Sequence, residues 1–177
     1  IKQVEVSMRL AAELEAMELT VHPGHMTLPG RREESMKLLQ DSLEQIGRLS
    51  DRIGVDVSLE IMEKIPKEFV TDAQSIEEAA GSRKKQFFYT LDIAHCDSEE
   101  EPFHILDQLK RISKIHISNR KGKCYHTPLE NGDFSFKEML PQLLAYGLPL
   151  VTEGYDDSRD FHIFTENTAF LKTNGGL

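Results

Sequence analysis

Several things are missing from this chain of 177 residues, and each absence removes a class of function. No uninterrupted apolar run approaches the ~18 residues that a membrane span needs. No basic stretch followed by an apolar core opens the chain as a secretory leader would. The expectation is a cytoplasmic protein with no membrane partner. Cysteine is scarce: Cys96 and Cys124 are the only two. They make a poor disulfide framework and lack the paired CxxC spacing of a structural zinc site, so both are read as free thiols. Positive charge is in deficit, with 21 Lys and Arg against 30 Asp and Glu and a formal net charge of −9. Such a balance repels a polyphosphate partner unless a local basic patch compensates, which counts against nucleic acid. Low-complexity segments and linkers are missing too. What remains is 39% apolar and 29% charged, the composition of a chain that buries a core.

Periodicity organises that material. The opening "VEVSMRLAAELEAM" places Val6, Met8, Leu10, Ala11, Leu14 and Met17 on a period near 3.6 residues, which predicts a helix. "GRREESMKLLQDSLEQIGRLSDRIG" does the same with Met36, Leu39, Leu43, Ile46, Leu49 and Ile53, and Gly54 stands where the helix should stop. "TDAQSIEEAAG" offers Thr71 or Asp72 as a cap and Gly81 as a terminator. Further helices are expected over "EEPFHILDQLKRIS", over "DFSFKEMLPQLLAYG" despite Pro141, and over "SRDFHIFTENTAFLKTN" at the end. Between them lie short apolar runs, near 18–22, 56–61, 87–92, 114–118 and 149–153, rich in branched and aromatic residues as covered strands are. The order is a helix, then strand and helix alternating five times. Alternation of that kind predicts a parallel sheet with helices packed outside, an α/β chain of (β/α) TIM-barrel type.

Each apolar run ends on a polar residue: His22 in "LTVHPG", Glu60 in "VSLEIM", Asp92 in "TLDIAHC", His116 in "KIHISN" and Glu153 in "PLVTEG". The steps between them are 38, 32, 24 and 37 residues, near the roughly 31 of a barrel that spends about 250 residues on eight units. In such a barrel the carboxyl ends of the strands converge on one mouth, where catalytic groups gather. Groups far apart in sequence become neighbours there. The bland alternative is that each polar residue merely ends its own strand.

Six short motifs, in order, carry a resemblance: "VHPG" at 21–24, "LEIM" at 59–62, "LDIAH" at 91–95, "KIHISN" at 114–119, "HTPLENGDFSF" at 126–136 and "VTEGYD" at 151–156. Together they resemble the xylose-isomerase-like barrel superfamily, which includes sugar and sugar-phosphate isomerases and epimerases, inosose dehydratases and metal-dependent apurinic endonucleases. The resemblance implies that these are strands four to eight of an eight-stranded barrel, and that residues 1–177 form one domain lacking the first three β/α units, some 80–100 residues at roughly 31 per unit. The chain is then a piece of a longer protein or a natural half that needs a partner. A homo-oligomer is one way to supply the rest.

Glu60, Asp92, His116 and Glu153 supply three carboxylates and an imidazole. That set suits one divalent ion, Mn²⁺ or Mg²⁺ first, with Zn²⁺ or Co²⁺ as further candidates. The resemblance implies a metal-dependent isomerase or epimerase of a small sugar, sugar phosphate or polyol. Glu60 and Glu153 would act as acid and base beside a carbonyl while the metal stabilises the enediolate. His95 then resembles a substrate-contacting histidine, or simply lines the mouth. His22 would touch substrate or hold a second metal, and Gly24 would let the backbone turn sharply after the strand. His126 joins the substrate-binding set, as do Lys121 and Lys123, which with Arg120 could hold a phosphate or carboxylate from a basic run that otherwise reads as a solvated loop.

Two other readings stay open. The apurinic endonucleases place zinc ligands at positions that match His22, Glu60, Asp92, His95, His116, His126 and Glu153. Cys124 stands where their motif has aspartate and Glu130 where it has glycine, although a thiolate also binds zinc. The epimerase pattern is itself broken at Pro66, where a second acidic substrate contact is expected. Without the further strands, five β/α units would expose sheet edges, and the chain would be a non-catalytic remnant or binding module.

Overall fold

The alternation read from the sequence is present in the computed structural model, which describes residues 1–156 and 159–175. The chain divides into two compact units: Ile1–Thr90 with Leu109–Ser113, and Leu91–Gln108 with Lys114–Leu177.

In the first unit, α1 (Lys2–Glu13) leads into β1 (Glu18–Val21), α2 (Arg32–Ile53), β2 (Asp56–Glu60), α3 (Ala73–Ala80) and the start of β3 (Phe88–Asp92). Helix α1 packs on α2 and α2 on α3. The stripe Met36, Leu39, Leu43, Ile46 and Leu49 is the buried face of α2. Each such side chain contributes about 1.5–3 kcal/mol on burial. The 22-residue helix ends at Gly54, whose φ of 81° closes it in the left-handed conformation. Asp72 caps α3: its side chain accepts from the Ser75 N–H, while the Ser75 hydroxyl accepts from the Asp72 N–H. Helix α1 is shorter than its apolar period suggests. It stops at Glu13, and Glu15 turns back at φ 57°. Leu10, Leu14 and Met17 are exposed.

Strands β1, β2 and β3 pair in parallel, with Thr20 opposite Ser58 and Glu60 opposite Thr90. Alternate residues divide by chemistry. Val57, Leu59, Tyr89 and Leu91 are buried apolar or aromatic, whereas Ser58, Glu60, Thr90 and Asp92 between them are buried and polar. Hydroxyls hold the polar set together: Ser58 Oγ lies 2.8 Å from Thr90 Oγ1 and 3.2 Å from Thr20 Oγ1.

Strand β3 finishes in the second unit and turns through a short 3₁₀ segment, Ile93–His95, to α4 (Glu101–Gln108). Then come β4 (Ile112–Ile117), a two-stranded hairpin of β5 (Asn119–Lys121) and β6 (Cys124–Thr127), α5 (Phe136–Ala145), β7 (Leu150–Thr152) and α6 (His162–Asn174). Helix α4 ends before "LKRIS", because Ile112 and Ser113 already belong to β4. Pro141 sits inside α5 without ending it. Strands β4 and β7 are parallel, with His116 opposite Val151. The hairpin stands where the basic run reads as a solvated loop. Its cross-strand order is Lys121 to Cys124 and Arg120 to Tyr125, then a shift to Asn119 with Thr127. His126 is the residue left over at that shift, a bulge with φ 61°.

Candidate metal centre

The second unit gathers most of the expected side chains. Asp92, the last residue of β3, is fully buried. Its Oδ1 accepts from the Ala94 N–H at 2.7 Å, which starts the 3₁₀ turn and leaves Oδ2 turned toward two imidazoles. His116 Nδ1 and His126 Nδ1 each lie 3.8 Å from that oxygen. His116 sits within β4, one residue before its end. Glu153 follows β7, where its backbone N–H donates to Ile117 O at 3.2 Å. That backbone bond extends the parallel register by one residue and sets Glu153 Oε2 2.7 Å from His116 Nδ1. The ligand atoms of Asp92, His116 and Glu153 all lie within 4.8 Å of one another.

A second group shares Asp92. Asp92, His95 and His126 also offer ligand atoms within 4.8 Å of one another. His95 is carried by the 3₁₀ turn, and its ring meets the His126 ring edge-on at 5.4 Å. His126 reaches this place because it is the bulge residue, and a bulge in a left-handed conformation swings its side chain out of the strand's alternation. Ser118 Oγ, wholly buried, lies 3.0 Å from His126 Nδ1 and fixes the ring. Nothing local in the sequence announces the bulge, and so sequence reasoning misses both Ser118 and the His126 conformation. Cys124, two residues before His126, is exposed and is not in either group.

The basic run of the hairpin divides. Arg120 stacks over Tyr125 at 5.1 Å, donates to Cys96 O at 2.6 Å and to Gly122 O at 3.0 Å, and so ties the hairpin to the turn that carries His95. Its guanidinium is engaged by carbonyls. Lys121 and Lys123 are exposed near the hairpin tip.

The first unit places the other two residues. Glu60 is the last residue of β2 and buried, and its Oε2 lies 3.1 Å from Nε2 of the largely exposed His22. After His22 the chain turns at Gly24, whose φ of 83° suits glycine although nothing crowds the position. Farther along, burial and the neighbouring charge of Glu63 hold the Glu68 carboxyl above its ordinary range.

A parallel strand–helix alternation whose strand ends carry carboxylates and imidazoles defines a β/α-barrel type of protein, represented here by part of a barrel. The chain belongs to the xylose isomerase-like TIM barrel family, whose model matches residues 1–173. The solved structure of a D-tagatose 3-epimerase-like protein superposes on 97% of this chain and 67% of its own, with a TM-score of 0.83 at 19% identity. The IOLI protein with a bound zinc atom superposes on 99% of this chain and 69% of its own, with a TM-score of 0.74 at 16% identity. Endonuclease IV from Thermus thermophilus covers 96% of this chain and 67% of its own, with a TM-score of 0.66 at 18% identity. This chain therefore spans about two thirds of the length of these structures. At such identities the likeness is one of fold. No curated protein matches the sequence. No helix among the described residues is long and apolar enough to cross a membrane.

Proposed function

We propose that this chain carries the site of a divalent-metal-dependent isomerase or epimerase acting on a small sugar, sugar phosphate or polyol. The observation that carries the reading is the close approach of Asp92, His116 and Glu153. Ligands bound to one ion at about 2.0–2.2 Å can stand no more than about 4.4 Å apart. The 2.7 Å and 3.8 Å separations at His116 Nδ1 meet that limit. Two carboxylates and an imidazole are suitable donors for Mn²⁺, Mg²⁺, Zn²⁺ or Co²⁺. Glu60, the buried carboxylate that ends β2, is the fourth ligand in this reading, as the resemblance of the strand-end motifs implies.

When bound, the metal supplies Lewis-acid polarisation of the substrate oxygens. The chain's residues do the rest. Glu153 and Glu60 take a proton from a carbon beside the carbonyl and return one, work that typically contributes 10²–10⁴-fold. His95, His126 and His22 contact hydroxyls of the substrate, and Lys121 and Lys123 attract an anionic end where there is one. The likeness to an epimerase-like protein and to the zinc-bound IOLI protein supports a sugar substrate and a metal.

One observation favours a second reading. The group Asp92, His95 and His126 would hold a further ion beside the first, and paired ions suit phosphodiester hydrolysis. Endonuclease IV is among the solved neighbours. The epimerase reading is preferred because Cys124 stays out of the second group and the chain carries a charge of −9. The test assays the metal-loaded protein for solvent deuterium exchange into keto sugars and their phosphates, and for incision of duplex DNA at an abasic site. Exchange lost in Glu153→Gln supports the proposal. Metal-dependent incision with no exchange on any sugar overturns it.

A further inference from the structure

Away from the candidate metal centre, the turn after β6 and one face of α6 enclose a cavity of about 350 Å³ in the second unit. That volume is at the small end of ligand pockets. Glu130, Asn131, Glu166, Asn167, Phe170 and Thr173 line it. Asn167 is the unusual member. It is 2% exposed, and its Oδ1 accepts from the Leu129 N–H at 2.9 Å. Its Nδ2, which carries two donors, has no protein partner among the described residues. That nitrogen is not sealed from the cavity Asn167 lines, so its donors are available to an occupant that accepts a hydrogen bond.

We propose that this cavity binds a small uncharged polyhydroxyl compound, a monosaccharide or cyclitol, as a second site distinct from the metal centre. The lining selects the class by elimination. An anion would face the Glu130 and Glu166 carboxylates with no Lys or Arg among the lining residues to offset them. An ammonium ion would satisfy those carboxylates but offers nothing for the Asn167 donors to bond. A hydroxyl does both, accepting from Asn167 Nδ2 while donating to Glu130. Phe170 and Pro128 supply the apolar surface on which the C–H face of a sugar ring lies. His162 Nε2 lies 3.0 Å from Glu166 Oε1, which leaves the Glu130 carboxylate as the acceptor open to a ligand.

The experiment titrates myo-inositol, D-glucose, inorganic phosphate and ethanolamine separately into the isotopically labelled chain and follows the side-chain amide of Asn167 by NMR. Saturable shifts of that amide and of the Leu129 N–H with one of the two polyols, and none with phosphate or ethanolamine, are expected. Asn167→Asp retains the acceptor for Leu129 but removes the donors, and weakens the polyol roughly tenfold, as loss of about one hydrogen bond does. Glu130→Ala changes an exposed side chain, leaves the fold intact and weakens binding several-fold. Shifts that appear instead around His116 and His126, a preference for ethanolamine or phosphate, or no saturable shift with either polyol would each overturn the proposal. Because Glu153→Gln leaves this cavity untouched, it retains polyol binding here whether or not the metal reading holds.

Discussion

His116 Nδ1 and Glu153 Oε2 stand 2.7 Å apart although 37 residues separate them in the chain. The parallel pairing of β4 with β7 brings them together, since His116 opposes Val151 and the Glu153 N–H donates to Ile117 O. Distance in sequence is cancelled by register.

The first prediction follows from that pair. A group of ligands already assembled in the fold binds metal in the folded state and not in the unfolded one, so metal raises the melting temperature. At free metal about a hundredfold above Kd the gain is about 2.7 kcal/mol, which for a chain of this size is a rise of roughly 5–10 °C. Calorimetry with Mn²⁺, Co²⁺ or Zn²⁺ should show the rise in the parent chain. Asp92→Asn, Glu153→Gln and Glu60→Gln should each reduce it. A full shift retained in all three would remove these residues from the metal site.

The second prediction concerns Ser118. When its hydroxyl accepts the Nδ1 proton of His126, the Nε2 lone pair is left to face a ligand, and the ring cannot turn. Partners that orient a ligating histidine are worth about 10–100-fold in metal affinity. Where the second reading holds and an ion binds at Asp92, His95 and His126, Ser118→Ala should lower the affinity of that step by about this factor while the step at Asp92, His116 and Glu153 holds, as isothermal titration would show. Equal loss from both steps would mean that Ser118 serves the fold alone.

The strand ends were legible because a period of two residues and a polar terminus are local features. His22, Glu60, Asp92, His116 and Glu153 stand at or within one residue of the observed strand ends. The alternation and its parallel sense followed from the spacing of apolar runs. His126 shows where such reasoning stops. Its position depends on a register shift between two short strands, and that shift depends on how Asn119 is held from a distance. The engagement of Arg120 is of the same kind: a basic run reads as solvated loop until the carbonyls of Cys96 and Gly122 are seen around the guanidinium. The α1 stripe at Leu10 and Leu14 was legible as a helical period, but burial was not, since the period cannot say which of two apolar faces finds a neighbour.

A third prediction comes from Glu44 on α2. The Arg83 side chain bonds to its carboxylate first and Arg48 second, and together they hold its pKa at about 2 against an ordinary 4.5. A folded pKa below the unfolded one contributes stability that is complete above the ordinary value and disappears as pH falls toward 2. Glu44 is exposed and Arg83 only partly buried, so salt screens the pair. Denaturant unfolding of Glu44→Gln and the parent should differ above about pH 4.5 and converge as pH falls toward 2. A gap that stays constant across that range would deny the Arg83 pair its part in acid stability.

The last prediction tests what places the hairpin. A Cβ on Gly132 would stand 2.2 Å from the Asn119 side chain and 2.5 Å from Arg120 O. Asn119 cannot move aside cheaply. It is fully buried, its Nδ2 donates to Leu129 O and Phe134 O, and its Oδ1 accepts from the Phe134 and Arg120 N–H groups. Overpacking alone costs about 1–3 kcal/mol, and a displaced Asn119 leaves buried partners unsatisfied at about 1–3 kcal/mol more. Gly132→Ala should therefore lower unfolding free energy by roughly 3 kcal/mol in denaturant titration. Because the Asn119–Thr127 pairing defines the register shift at His126, the same change should disturb His126 before it disturbs His116. NMR of the two imidazoles distinguishes the cases. If both rings shift together, or the loss stays under about 1 kcal/mol, Gly132 is not what makes room for the Asn119 clamp.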